Sequence, residues 1–173
     1  MIIRPETAAD RDAIRKINDE AFGDPLEAKI VDAIRESDRF LPELSLVAVS
    51  EGQTRGHVIS SYVDVEPGAR RVLQVGPLAV LPSHQGRGIG RALMEETIRI
   101  ADSRGEPLLL IEGNPKYYER FGFTRADAFG IEPPPEAHGP QYFRIRPLAR
   151  YVPDVPRSRD LSTRDVRDRV LEA

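Results

Sequence analysis

The spacing of apolar positions changes repeatedly along this chain, and each change marks a new element. Ile2 and Ile3 form a short first strand, and Thr7 and Asp10 supply helix-start chemistry before Ile14, Ile17 and Ala21 at helical spacing. Gly23-Asp24-Pro25 ends that helix. A second helix carries Leu26, Ile30 and Ala33 or Ile34 on one face. Residues 44–49 and 57–65 flank Glu51-Gly52-Gln53, which predicts a hairpin of two strands, and Pro67-Gly68 is the next break. An apolar run over 72–81, an amphipathic run from Ala92 to about Ser103 and a further apolar run over 108–111 predict strand, helix, strand. Residues 124–146 add two strands around a proline-rich loop, 130–140.

Composition narrows the class without naming an activity. The chain has 173 residues, 40% apolar and 31% charged, as expected of one globular domain. No run approaches the ~18 apolar residues of a membrane span, and the first residues lack a secretory pattern, so the expectation is a cytoplasmic protein without a membrane partner. The net charge of −3 argues against nucleic acid as a partner. Absence of cysteine removes disulfides, thiolate metal sites and any acyl-cysteine intermediate. His57, His84 and His138 show no metal-ligand spacing, so no metal is expected.

The most informative stretch is Gln85-Gly86-Arg87-Gly88-Ile89-Gly90, placed between the predicted strand and helix. Glycines let the backbone turn tightly, and the unpaired N–H groups of a helix's first turn favour an anion. A dinucleotide fingerprint starting at Gly86 would need glycine where Arg91 stands, and a P-loop would need Gly-Lys-Ser/Thr. What fits is Gln/Arg-x-x-Gly-x-Gly/Ala through Gln85, Gly88 and Gly90. After the strand over 108–111 comes Tyr118-Glu119-Arg120-Phe121-Gly122-Phe123. On these two motifs, in this order, the chain resembles the GNAT family of N-acetyltransferases. Gly113-Asn114-Pro115-Lys116-Tyr117-Tyr118 is similar to the loop of a bacterial subgroup of predicted acetyltransferases.

The resemblance implies an α+β, three-layer fold, with a mixed central sheet of about seven strands, about four flanking helices, and splayed fourth and fifth strands. It covers about residues 1–148 and leaves 149–173 as a tail, where Leu161 and Ser162 suggest the cap of a short charged helix through Val166, Val170 and Leu171. Docking of that helix on its own domain, docking on a second subunit and disorder are all compatible with the pattern. Gly76-Pro77 interrupts the central strand and predicts a bulge, the alternative being a simple strand break. The splayed segments would be 74–80 and 108–112.

By the same resemblance, acetyl-CoA is the co-substrate, and its acetyl group passes directly to a primary amine of a small molecule or protein. The backbone N–H of Leu78 would stabilise the oxyanion, and Ala79 and Val80 would border the pantetheine arm. Gln85, Gly86, Arg87, Gly88, Ile89, Gly90 and Arg91 would hold pyrophosphate, the two arginines being either phosphate partners or solvated surface residues. Tyr118 stands at the family's acid position, with Tyr117 facing about 100° away. Asn114 joins the cofactor-binding set, although the shortened loop displaces it from the family's asparagine.

No general base is assigned. Gln74 occupies the place of the family's glutamate, and Glu112, Asp64 and Glu66 are the remaining candidates. Asp19, Glu20, Asp24, Glu27, Glu132 and Glu136 would either attract a cationic acceptor or solvate exposed ends. Gln74 in place of a carboxylate also keeps open a non-catalytic acyl-CoA-binding or scaffold domain. A homodimer through the last hairpin and the tail helix is a further implication of the resemblance.

Overall fold

The computed structural model of the chain describes residues 1–66, 70–129, 131, 133, 138–152 and 160–162. The first strand, β1 (Ile2–Pro5), leads through a short 3-10 turn to α1 (Arg11–Phe22) and α2 (Leu26–Glu36). Gly23 closes α1 at φ +76°, with its N–H on the Asp19 carbonyl, a left-handed cap that glycine adopts without a Cβ penalty. Then come β2 (Phe40–Ser50), β3 (Gln53–Glu66), β4 (Arg70–Val80), α3 (Ile89–Arg104) and β5 (Leu108–Glu112). A single turn, α4 (Pro115–Tyr118), precedes β6 (Thr124–Arg125) and β7 (Phe143–Pro147). Asp160–Ser162 form β8.

The sheet runs β1-β2-β3-β4-β5-β7-β6. Every pairing is antiparallel except β4 with β5, whose parallel direction requires the crossover that α3 supplies. Strand alternation sorts the side chains into two apolar layers. Leu46, Val58, Leu73, Val75, Leu109 and Ile111 face α3 and meet Leu93, Met94 and Ala101. Val47 and Ile59 face the other way and are covered by Ile14 of α1 and Ile30, Val31 and Ile34 of α2. Contact between α3 and the sheet is close because Gly56 has no side chain: a Cβ there would lie 2.7 Å from the Ile89 Cγ2.

The expected element order is the observed one through β7, with β5 ending at Glu112 as expected of the splayed segment. The tail differs. Leu161 and Ser162 add to the sheet, pairing antiparallel with Val65 and Asp64 of β3. Strand β3 outruns β2, whose last rung with it is Phe40–Ser61, so the far end of β3 has an edge for β8 to occupy. At those three residues the tail docks on its own domain. The rest of the expected tail helix, including Val166, Val170 and Leu171, lies outside the described residues.

Candidate active site

A bulge in β4 opens the sheet. Val58 faces Leu78 and Ser60 faces Val75, so Gly76 and Pro77 stand opposite Ile59 alone. Gly76 has φ +137°, a region closed to most side chains. Rungs between β4 and β5 stop at Val75–Ile111, although β4 continues to Val80 and β5 to Glu112. The gap lies where the splay was expected.

Backbone polarity in that gap follows from the ladder. Leu81 donates its N–H to the Arg55 carbonyl at 3.0 Å, so alternation gives Ala79 the next hydrogen-bonded rung, opposite His57. Leu78 and Val80 then turn their backbone polar groups away from β3, toward the gap. The Val80 carbonyl confirms the direction by accepting from the Gln85 side chain at 3.1 Å. Ala79 instead buries its methyl group against Ile17 and Leu81 and does not border the cavity.

Below the gap lies the glycine turn. Gly86 (φ +75°) and Gly88 (φ +83°) are both left-handed, and Gly88 caps α3. The first α-helical bond is Ala92 N–H to the Gly88 carbonyl at 3.0 Å, which leaves the N–H groups of Ile89, Gly90 and Arg91 without intrahelical partners. Arg91 borders the cavity and pairs with Glu95 at 2.7 Å; Arg87 is exposed and does not border it.

The two tyrosines close the opposite side. A Cβ on Gly113 would fall 2.3 Å from the Tyr118 Cε2, so glycine is what lets this ring lie over the end of β5. Tyr118 packs edge-on to Phe123 and Tyr117, with ring centroids 6.0 and 4.9 Å apart. Burial pushes the Tyr118 phenol far above its ordinary value, and the neighbouring Tyr117 adds to the shift. Burial also raises Tyr117, against an opposing effect of the Arg120 guanidinium 4.7 Å from its ring centroid. Tyr117 does not turn away from the cleft: its hydroxyl reaches Gly90 at the head of α3. Asn114 caps α4 by accepting from the Lys116 N–H at 3.0 Å, and it borders the same cavity.

Gap, glycine turn and tyrosines belong to one cavity of about 860 Å³. A family model described as "Acetyltransferase (GNAT) family" matches residues 11–123. The chain belongs to the GNAT family. This GNAT chain is 37% identical over 127 residues to the uncharacterized N-acetyltransferase YhbS of Escherichia coli K12, covering 73% of this chain and 75% of that one. The crystal structure of E. coli YhbS in complex with CoA superposes with a TM-score of 0.78 at 31% identity, over 86% of this chain and 81% of that one. A GNAT acetyltransferase from Brucella melitensis in complex with acetyl-CoA gives a TM-score of 0.74 at 31% identity, over 91% and 92%. The chain is thus an N-acetyltransferase.

Helices α1 and α2 supply a largely apolar wall of the cavity. That wall is Phe22, Ile30 and Ile34, with Glu27 the acid of α1 and α2 that borders the cavity. Asp19, Glu20 and Asp24 do not border it, and Glu132 and Glu136 lie outside the described residues. Of the base candidates, Glu112 borders the cavity, as does Gln74, whose amide is no base. Asp64 is paired with Arg39 at 2.6 Å, and the Glu66 side chain is outside the described set. The sequence gives no signal for His138, whose Nδ1 lies 2.6 Å from the Glu112 carboxylate.

A buried polar cluster anchors α2 behind this wall. Arg35 holds Glu6 with two bonds, at 2.7 and 2.9 Å, and Ser45 donates to Glu6 at 2.7 Å. His57, fully buried, places Nε2 3.4 Å from the same carboxylate. Burial holds His57 below its ordinary value; burial also pulls Glu6 upward, but the bonds from His57, Arg35 and Ser45 outweigh it and bring Glu6 to about 2. Among the described residues no group of His, Asp and Glu could hold a metal ion, and no helix is long and apolar enough to cross a membrane.

Proposed function

We propose that this enzyme transfers the acetyl group of acetyl-CoA directly to a primary amine, with the thioester lying in the gap between β4 and β5. The observation that carries this reading is the pair of backbone N–H groups, Leu78 and Val80, directed into a gap that β5 no longer fills. An arm of amide character can pair there as an added strand. The turn over 85–91 then receives the pyrophosphate on the free N–H groups at the head of α3.

Acetyl transfer needs a donor where the oxyanion develops, and the Leu78 N–H is fixed by the sheet for that purpose. Tyr118 supplies a proton as the sulfur departs. Its buried phenol holds that proton at any physiological pH, and the same apolar surroundings raise the basicity of the leaving thiolate. The hydroxyl has no hydrogen-bond partner among the described residues, so it is available to an incoming group. Gly113 and Phe123 fix its ring. Tyr117 steadies the phosphate end.

The acceptor we propose is an amine with an apolar body, lying against Phe22, Ile30 and Ile34 with its ammonium near Glu27. Family resemblance also suggests a cytoplasmic homodimer, which light scattering with and without residues 149–173 addresses. A free-thiol release assay with acetyl-CoA and a panel of amines tests the activity. Acceptor-dependent release supports it; binding of acetyl-CoA without release by any amine favours a scaffold.

A further inference from the structure

We propose that His138, oriented by Glu112, is the general base that deprotonates the acceptor amine; the proposal rests on the acetyl-transfer reading of the same cavity. Glu112 is the β5 residue just beyond the last rung shared with β4, so its carboxylate stands at the mouth of the gap and borders the cavity. Alternation fixes its face. Leu109 and Ile111 point to the α3 layer, whereas Leu110 points to the opposite layer, and Glu112 follows Leu110. Gln74 shares a rung with Leu110 and lies between Leu73 and Val75, both on the α3 side, so it shares the Glu112 face. Leu78, Tyr117 and Tyr118 pack on the α3 layer. A group in the gap therefore has Tyr118 on one side and the Glu112 carboxylate on the other; His138 is bonded to that carboxylate and does not itself border the cavity.

The pairing itself assigns the imidazole tautomer. A carboxylate only accepts, so Nδ1–H donates to Glu112 at 2.6 Å, and in the neutral imidazole Nε2 is the nitrogen left to take a proton. The His138 backbone N–H also donates to Glu112, at 2.7 Å. That bond already ties the loop to β5, and the imidazole adds nothing the tie requires. Its side chain is 71% exposed, which gives an acquired proton a route to water.

Through one water, Nε2 removes a proton from the ammonium, and the nitrogen lone pair so freed forms the bond to the thioester carbon. The C–S bond breaks with its electron pair on sulfur. The second proton lost by nitrogen balances the one sulfur gains from Tyr118, and the proton on His138 leaves to solvent. Base catalysis of this kind contributes on the order of 100-fold or more.

The test compares benzylamine, an ammonium ion at neutral pH, with phenylhydrazine, which is already neutral there. Expected for His138→Ala is a loss of roughly 100-fold in kcat with benzylamine, less than about threefold with phenylhydrazine, partial rescue by added imidazole and an unchanged acetyl-CoA Kd. Glu112→Gln should show the same selective loss. Benzylamine turnover within about twofold of the unaltered protein, or equal loss with both probes, overturns the assignment. Unaltered protein that binds acetyl-CoA but releases no thiol with either probe overturns the base and leaves the cofactor site standing. Failure to bind acetyl-CoA overturns the parent reading itself.

Discussion

The hydroxyl of Tyr117 rests against Gly90, where a Cβ would stand 2.6 Å from it. One contact thereby joins α4 to the head of α3 and sets the width of the phosphate end of the cavity. Gly90→Ala should overpack this point and lower stability by about 1–3 kcal/mol. Tyr117→Phe in the same chain removes the clashing oxygen and should recover much of the loss. Thermal unfolding of both single variants and the double variant measures the coupling; additive losses would mean the two residues do not touch.

Replacing Tyr118 separates binding from chemistry. Tyr118→Phe keeps the ring between Gly113 and Phe123 and removes only the proton donor. Turnover should fall by about 100-fold or more while the acetyl-CoA Kd stays within about twofold. Equal loss in both would make Tyr118 a binding residue.

Glu27 borders the acceptor side with no hydrogen bond or ion pair among the described residues. Glu27→Gln should raise the acceptor KM about tenfold, the order expected of one charge-assisted hydrogen bond, and leave kcat for the best amine near its starting value. An unchanged KM would place the ammonium elsewhere.

Acid should loosen α2 through the cluster behind the cavity. His57 is held below its ordinary 6.5, so the unfolded chain binds the extra proton first and stability falls as pH drops below that value. Glu6, lowered from 4.5 to about 2, adds a second loss between those two values. The expected Tm is flat above pH 6.5 and declines below it, and His57→Gln should remove the first part of the decline. A decline unchanged in that variant would assign it to other groups.

Much of this architecture was legible because it rests on local chemistry. Gly23 and Gly88 announce helix ends, Gly76-Pro77 announces a bulge, and 85–90 announces a glycine turn at the head of α3, each within a few residues. What stayed hidden depends on residues far apart in the chain. His138 meets Glu112 only because β7 returns antiparallel to β5, and Gly90 meets Tyr117 only because α4 folds back over α3. Glu6, Ser45 and His57 come from β1, β2 and β3, and no spacing rule connects them. Leu161 and Ser162 pair with an edge of β3 about 100 residues away in the chain, which no local pattern announces.

Amide hydrogen exchange at Leu78 and Val80, with and without acetyl-CoA, shows whether the thioester arm enters the gap. Both N–H groups should exchange readily in the free protein and become protected when acetyl-CoA is added, while Ala79, already bonded across to β3, changes little. Saturable acetyl-CoA binding with no change at Leu78 or Val80 would contradict that placement, because the thioester arm would then lie outside the gap.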